Sequence, residues 1–447
     1  MIIIKNRKGK RMRVGFISLG CSKNLVDTEM SIGLFKQHQF EIVNDINKAQ
    51  IIVVNTCGFI ESAKQEAIDT ILEMAEYKQN GTCKYLIAMG CLVERYESDL
   101  KKALPEVDLF IPIKEYEQMW EKIESLIYRK ETNILASKLD YLNRVISTGN
   151  TTAYLKIAEG CSNKCTYCAI PYIRGEYISR PFEEIIEEAK LLAKKGYKEI
   201  IVIAQDTTKY GIDNYGKPRL PELLTELSKI EGFKWIRFLY SYPESITDEL
   251  IEVVKNNDKI CKYFDIPIQH ISNKVLKRMN RKTTGEKIEQ TIMKIKKEIP
   301  EVVLRTSLIV GFPGEKEEDF EELYQFVSKA HFDKLGVFKY SKEDGTPAER
   351  LPEQIHHKTK TRRHEKIMSL AKQISREKLK DKIGREYKVL IETQTFDGKY
   401  YVGRTYMDIP NEDGLVFIKN TKLGLEGKWI DATIIDVKDY DLIAEIK

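Results

Sequence analysis

Apolar positions along this chain follow three regimes. In the first, short apolar runs at residues 13–20, 51–56 and 85–90 are each followed by a helical pattern, at 28–37, 61–77 and 94–103. Continuous apolar runs of this length predict strands buried on both faces, and their alternation with helices predicts a parallel, doubly wound sheet. In the second regime, from about residue 152 to 350, six further runs appear, at 154–159, 199–204, 235–240, 263–268, 302–310 and 335–340. Helical stretches separate them, such as 285–299, where Ile288, Ile292, Ile295 and Ile299 share one face. Six such units predict a partial parallel (β/α)6 barrel with its site at the carboxyl ends of the strands. Residues 358–380 are helical and basic, with nine Lys or Arg against three Asp or Glu over 351–380, and read as a solvated linker helix. The third regime is short strands at 387–392, 400–405, 414–418, 428–436 and 441–446, punctuated by Gly403, Gly414, Gly424 and Gly427. That pattern predicts a small all-β barrel.

Composition narrows the class without naming a function. At 447 residues, with 42% hydrophobic and 32% charged, the chain is expected to form two to four globular domains. No apolar run reaches the length of a membrane span. The opening has four apolar residues followed by a basic patch, which lacks the order of a signal peptide, and residues before Met12 read as an extension. A cytoplasmic location is expected. Eight cysteines without an export signal point to reduced thiols and metal binding rather than disulfides. A net charge of +5 is too small at this size to argue for nucleic acid.

The cysteines carry the chemistry. Cys161, Cys165 and Cys168 stand in GCSNKCTYCAIP, a CxxxCxxC spacing with Tyr167 just before the last thiol. Three thiolates leave one iron of a [4Fe–4S] cluster open to chelate a small molecule, and the expected chelate is the amino and carboxylate end of S-adenosylmethionine. A structural zinc site is the alternative, but it needs a fourth ligand, and the next Cys and His are Cys261 and His270. Cys21, Cys57 and Cys91 each fall just after one strand of the first sheet, 36 and 34 residues apart. Ligands bind beyond the carboxyl ends of such strands, so the three are expected to converge. Neighbouring Gly20, Gly58 and Gly90 leave the backbone room to turn around a bulky inorganic body, which favours a second open cluster over three structural thiols. Cys83 and Cys261 precede their strands and read as small buried fillers. In the barrel, Gln205 and Asp206, Ser241, and Gln269 with His270 fall at successive strand ends. Gly311–Glu315 (GFPGE) follows the fifth and opens a helix whose amides are expected to hold a polar ligand.

Taken together, these features resemble the methylthiotransferases among the radical S-adenosylmethionine enzymes. GCSKNLVDTE (20–29), NTCGFIESAKQEAID (55–69), MGCLVERY (89–96) and GCSNKCTYCAIPYIRGEYISRP (160–181) carry the resemblance. It implies a flavodoxin-like first domain at 12–128, a radical domain at 147–378 and a TRAM barrel at 380–447. It also implies two [4Fe–4S] clusters, on Cys21/Cys57/Cys91 and Cys161/Cys165/Cys168. One S-adenosylmethionine would methylate a sulfur at the first cluster, and another would be cleaved at the second to a radical that takes hydrogen from an unactivated carbon. Expected contacts to S-adenosylmethionine are Tyr167, Gln205, Asp206, Gln269, His270, Arg305, Gly311 and Gly314, with no catalytic residue beyond the cluster ligands. GCSKN, DIPIQHISNKVLKRMNR (265–281), Arg305 and YVGRTYMDIPNEDG (401–414) are most similar to the branch that modifies the β-carbon of an aspartate in ribosomal protein S-twelve of the small subunit. Residues 381–447 hold ten Lys or Arg against thirteen Asp or Glu, a charge of −3 that suits a basic protein better than tRNA. A tRNA adenosine methylthiotransferase is the near alternative, and a non-catalytic electron-transfer protein the remote one. The sulfur donor and electron donor stay open.

Overall fold

The computed structural model describes residues 11–128, 139–419 and 424–446; the basic opening segment lies outside them up to residue 10. The first domain runs β1 (Arg13–Ser18), α1 (Ser22–Gln37), β2 (Glu41–Ile42), β3 (Ile51–Thr56), α2 (Glu61–Asn80), β4 (Tyr85–Gly90), α3 (Cys91–Ala103), β5 (Leu109–Ile111) and α4 (Met119–Tyr128). Its strands are all parallel in the order β2-β1-β3-β4-β5, the flavodoxin-like arrangement. Every residue of β3 is buried, as its unbroken apolar run requires. Ile52 and Val54 pack with Ile71 on one face, and Ile51 and Val53 with Phe35 and Trp120 on the other.

The second domain contains β6 (Thr152–Lys156), β7 (Ala158–Glu159), α5 (Ile170–Arg174), β8 (Ile178–Ser179), α6 (Phe182–Lys194), β9 (Glu199–Ile203), α7 (Ile212–Tyr215), α8 (Leu220–Lys229), β10 (Trp235–Phe238) and α9 (Asp248–Asn256). It continues with β11 (Tyr263–Asp265), α10 (Asn273–Arg278), α11 (Gly285–Glu298), β12 (Val303–Val310), α12 (Glu317–Ala330), β13 (Lys334–Lys339) and α13 (His357–Lys380). β6, β9 and β10 pair in parallel, β11, β12 and β13 likewise, and an Ile236–Ile260 bridge joins the two halves. This is the partial barrel, its strands in chain order. Residues 160–177, which hold the second cysteine triplet and α5, form an excursion closed by the antiparallel pair β7–β8.

One expectation fails here. α13 is not a solvated linker: Ile367, Ala371, Ile374 and Leu379 are buried, and the helix packs on α12 and β13. Arg362, Lys366 and Lys378 pair with Glu317, Glu321 and Asp333, while Arg363 is itself buried and bonds Glu315 at 3.0 Å. Net basic composition hid an apolar stripe at helical spacing.

The last domain comprises β14 (Glu386–Gln394), β15 (Tyr400–Arg404), β16 (Val416–Lys419), β17 (Trp429–Lys438) and β18 (Asp441–Ile446), closed in the order β14-β15-β16-β18-β17. It is docked against the amino-terminal ends of the larger barrel's strands. Arg404 reaches Glu199 at 2.8 Å, Lys334 reaches Asp408 at 2.6 Å, and the Tyr263 hydroxyl donates to Asp413 at 2.7 Å. Asp408 and Asp413 therefore belong to the seam between domains, not to an outward acidic face.

Candidate active site between the two cysteine triplets

Cys21 is the N-cap of α1, Cys57 follows β3 and Cys91 opens α3, so all three stand at the carboxyl ends of neighbouring strands. The glycines beside them are obligatory. Gly20 has φ +85°, and a Cβ there would lie 2.7 Å from Cys57 Cβ and 2.9 Å from its Sγ. A Cβ on Gly58 would lie 2.7 Å from the backbone of Leu92, and one on Gly90 (φ +101°) would strike the Asn55 side chain. Asn24 ties the three loops: its Nδ2 donates to Leu19 O (3.1 Å) and Thr56 O (2.9 Å), and its Oδ1 lies 3.3 Å from Cys91 Sγ.

In the second triplet, Cys161 N donates to Gly175 O and Cys168 N to Cys165 O, each at 3.1 Å. Asn163 Nδ2 donates to Asp206 at 2.8 Å, and Thr166 Oγ1 to the Arg278 carbonyl at 2.9 Å, fixing the loop against the barrel. Cys165 Sγ lies 3.9 Å from the Tyr242 hydroxyl, and the Arg281 guanidinium covers the Tyr242 ring at 4.2 Å.

Three free thiols apiece are the donor set that an open iron–sulfur cluster takes. Among the described residues no three His, Cys, Asp or Glu side chains converge on a site for a single metal ion. Thiolates at three corners of an iron–sulfur cube stand further apart than the ligands of one ion. Burial pushes the Cys91 thiol up to about 12 and raises those of Cys57, Cys161 and Cys168. Thiols in such surroundings ionise when a metal supplies the compensating charge. Cys21 differs: crowding by protein pushes it up, but Lys23 and Arg174 outweigh that and bring it below its ordinary value.

A buried ionic network joins the two sets. Arg174, on the helix that follows Cys168, sends Nη2 to Asn24 Oδ1 (2.5 Å), Asp27 Oδ2 (2.9 Å) and Cys91 Sγ (3.5 Å). Its Nη1 reaches both Glu159 oxygens at 3.0 Å. Lys156 bridges Asp27 (2.5 Å) and Glu159 (2.9 Å). Burial alone would raise the Glu159 carboxyl, but Arg174 and Lys156 overcome it and hold the group well below the carboxylate range. Cys91 also packs on Ala169 and Ile173, so the two cysteine sets face each other.

The other expected site residues divide. Gln205 Nε2 donates to Glu159 at 3.1 Å and Asp206 holds Asn163, so both touch the cysteine region. Tyr167 lies edge-on to Phe312, ring centroids 6.4 Å apart. Gln269 (φ +68°) bridges to Leu308 at a strand end. His270 is turned away: it is fully buried, with Nδ1 accepting from Ser272 N at 3.1 Å beside Asp319 of α12. Arg305 pairs with Asp265 at 3.0 Å and Glu412 at 2.5 Å, next to the last domain. Gly311 and Gly314 have φ +72° and +81°, but the turn's amides are not free for a ligand. Phe312 N donates to Glu315 Oε2 and Gly314 N to Glu353 O, each at 2.9 Å, and α12 starts only at Glu317 behind its own capping box. Sequence reasoning missed Asn24, Asp27, Lys156, Glu159 and Arg174. The available signal was charge inside apolar runs, since buried charges are rarely left unpaired.

Comparison with known proteins follows the same division of the chain. Residues 13–112 match the Uncharacterized protein family UPF0004, 155–327 the Radical SAM superfamily and 383–446 the TRAM domain. Ribosomal protein uS12 methylthiotransferase RimO of Alkaliphilus oremlandii is 64% identical over 439 residues, covering 97% of this chain and 99% of that one. This chain belongs to the RimO family. The like-named proteins of Acetivibrio thermocellus (49% over 447 residues, 98% of both chains) and Clostridioides difficile (50% over 440, covering 97% and 99%) agree. RimO-family membership makes the protein a radical S-adenosylmethionine methylthiotransferase, with a [4Fe–4S] cluster and S-adenosylmethionine as its cofactors. Among solved structures, the radical S-adenosylmethionine methyltransferase TsrM of Kitasatospora setae superposes with TM-score 0.57 at 12% identity, over 76% of this chain and 74% of that one. The cobalamin-dependent radical enzyme OxsB gives 0.51 at 14%, over 76% and 55%. At those identities the likeness is one of fold. No helix among the described residues is long and apolar enough to cross a membrane.

Proposed function

We propose that this protein places a methylthio group on the β-carbon of an aspartate in ribosomal protein uS12, using one [4Fe–4S] cluster on each cysteine triplet. The observation that carries the reading is the mutual placement of the triplets, with Arg174 of the second loop in contact with Cys91 of the first. The names of the RimO relatives support the substrate. When bound, the clusters and S-adenosylmethionine supply the radical and the methylated sulfur that an unactivated C–H bond demands. The chain's own residues supply geometry. Cys161, Cys165 and Cys168 hold one cluster, and Asn163 with Asp206 fixes their loop. Cys21, Cys57 and Cys91 hold the other, and Asn24 fixes theirs. The Arg174, Glu159, Asp27 and Lys156 network would fix the two cysteine loops against each other.

For S-adenosylmethionine itself, Gln205, Gln269 and Tyr167 are the contacts we favour; Gln205 Oε1 has no hydrogen-bond partner among the described residues. Arg305, Gly311 and Gly314 shape the surroundings through Glu412 and Glu315. The test is replacement of Cys161, Cys165 and Cys168 together by Ala. Iron should fall to about half and deoxyadenosine formation should cease. Full iron, or complete loss of iron from a protein that is still folded, contradicts the assignment.

A further inference from the structure

The segment that follows β13 leaves the barrel and reaches the first domain. Glu343 in it has a side chain only 3% exposed, and the partners of its carboxylate outside that segment lie in α2 and α3. Oε1 accepts from the backbone N–H of Glu61, the first residue of α2, at 3.1 Å, and from Ser341 Oγ at 2.6 Å. Oε2 lies 3.3 Å from Lys64 Nζ of α2 and 3.5 Å from Arg95 Nη1 of α3. Asp344 extends the contact: its carbonyl accepts from Arg95 Nη2 at 2.8 Å, and its carboxylate from the Tyr96 hydroxyl at 3.0 Å.

These contacts end at the cysteines. The loop from Cys57 to Glu61 joins β3 to α2, and α3 starts at Cys91 itself. The backbone of that loop is gripped at two points: Gly58 O accepts from Arg95 Nη1 at 2.8 Å, and Glu61 N donates to Glu343. Arg95 is thus the middle of a chain that runs from the barrel's Glu343 to the carbonyl beside Cys57. A carboxylate at a helix start satisfies an amide that the helix leaves unpaired. A buried carboxylate set between two cations also fixes all three side chains, because removing it leaves the cations uncompensated.

We infer that Glu343 is a positioning residue for the first cysteine set, through which the barrel holds Cys57 and Cys91 in the arrangement that binds iron. This rests on the function proposed above, in which those thiols and Cys21 carry a cluster. The iron-holding geometry is then not a property of the first domain alone. The loops after β3 and β4 are clamped together by a carboxylate that the other domain supplies. Groups that orient metal ligands without touching the metal govern affinity by about ten- to a hundredfold.

The experiment uses reconstituted full-length protein that carries one cluster at a time. Replacing Cys161, Cys165 and Cys168 by Ala leaves the first cluster, and replacing Cys21, Cys57 and Cys91 leaves the second. Glu343→Gln keeps the size and removes the charge. It should speed loss of the first cluster's iron to a chelator by about tenfold and leave the second cluster's rate unchanged. Asp344→Ala, which releases Tyr96 and spares Glu343, should act in the same direction more weakly; if Glu343→Gln does not fold, this variant decides. Asp408→Asn, at the seam with the last domain, controls for general loosening and should change neither rate. An unchanged rate for the first cluster, equal acceleration of both clusters, or the same acceleration by Asp408→Asn makes Glu343 a tie between domains and overturns the inference. A folded protein without Cys161, Cys165 and Cys168 that binds no iron overturns instead the two-cluster reading on which the inference stands.

Discussion

Single side chains in this protein are decided by what surrounds them, and two classes show the contrast. Cys83 and Cys261 are buried, at 6% and 3% exposure, and neither joins a cysteine triplet. Replacing both by Ala should leave iron content and turnover near wild type, with a stability loss of roughly 1–2 kcal/mol; loss of one cluster's iron contradicts this. Their place was legible because a cysteine before a strand lies at the wrong end of a parallel sheet. His270 was not: a polar residue at a strand end read as a ligand, yet the turn sends it to the helix side. Burial lowers its pKa from 6.5 to about 3. The folded state therefore refuses a proton that the unfolded state accepts, and stability is lost as pH falls below 6.5 toward 3. Between pH 7 and 5 the wild type should lose about 2 kcal/mol more than His270→Asn in denaturant titrations. Equal losses in the two proteins would falsify the assignment.

At the level of elements, the sequence pattern located the strands well and the helix starts poorly. α1 begins at Ser22 and α3 at Cys91, where the apolar pattern begins only near 28 and 94. The first turn of α1 is polar and buried, with Lys23, Asn24 and Asp27 engaged in tertiary contacts, so hydrophobic periodicity cannot announce it. The same blindness hid α5. Its Arg174 matters through partners that lie about 80 to 150 residues away in sequence, such as Cys91 and Asp27. Arg174→Ala should destabilise by about 3 kcal/mol or more, because Asp27 and Glu159 lose their main guanidinium partner, and Arg174→Lys should recover only part, lacking the planar fork. Thermal unfolding of the three proteins checks the order. A neutral Arg174→Ala would show that the network does not hold the two cysteine loops together.

For the whole molecule, domain order was legible and domain docking was not. Each domain announces itself by a change of hydrophobic period. The seams depend on ion pairs between distant residues, such as Arg404 with Glu199 and Glu343 with Lys64 (3.3 Å) and Arg95 (3.5 Å). Docking also changes which acidic residues of the last domain face outward: Asp408 and Asp413 are taken up in the seam, whereas Asp436 and Glu445 are exposed. If the acidic barrel attracts a basic protein, Asp436→Lys with Glu445→Lys should weaken uS12 modification most at low salt and leave basal cleavage of S-adenosylmethionine unchanged. No dependence on salt or on these charges would remove the barrel from substrate capture. The most direct test of the central claim offers anaerobically reconstituted enzyme, S-adenosylmethionine and a reductant both uS12 and tRNA, and reads both by mass spectrometry. The account predicts one methylthio group on an aspartate of uS12 and none on tRNA; a methylthio group on tRNA with uS12 unchanged would contradict it.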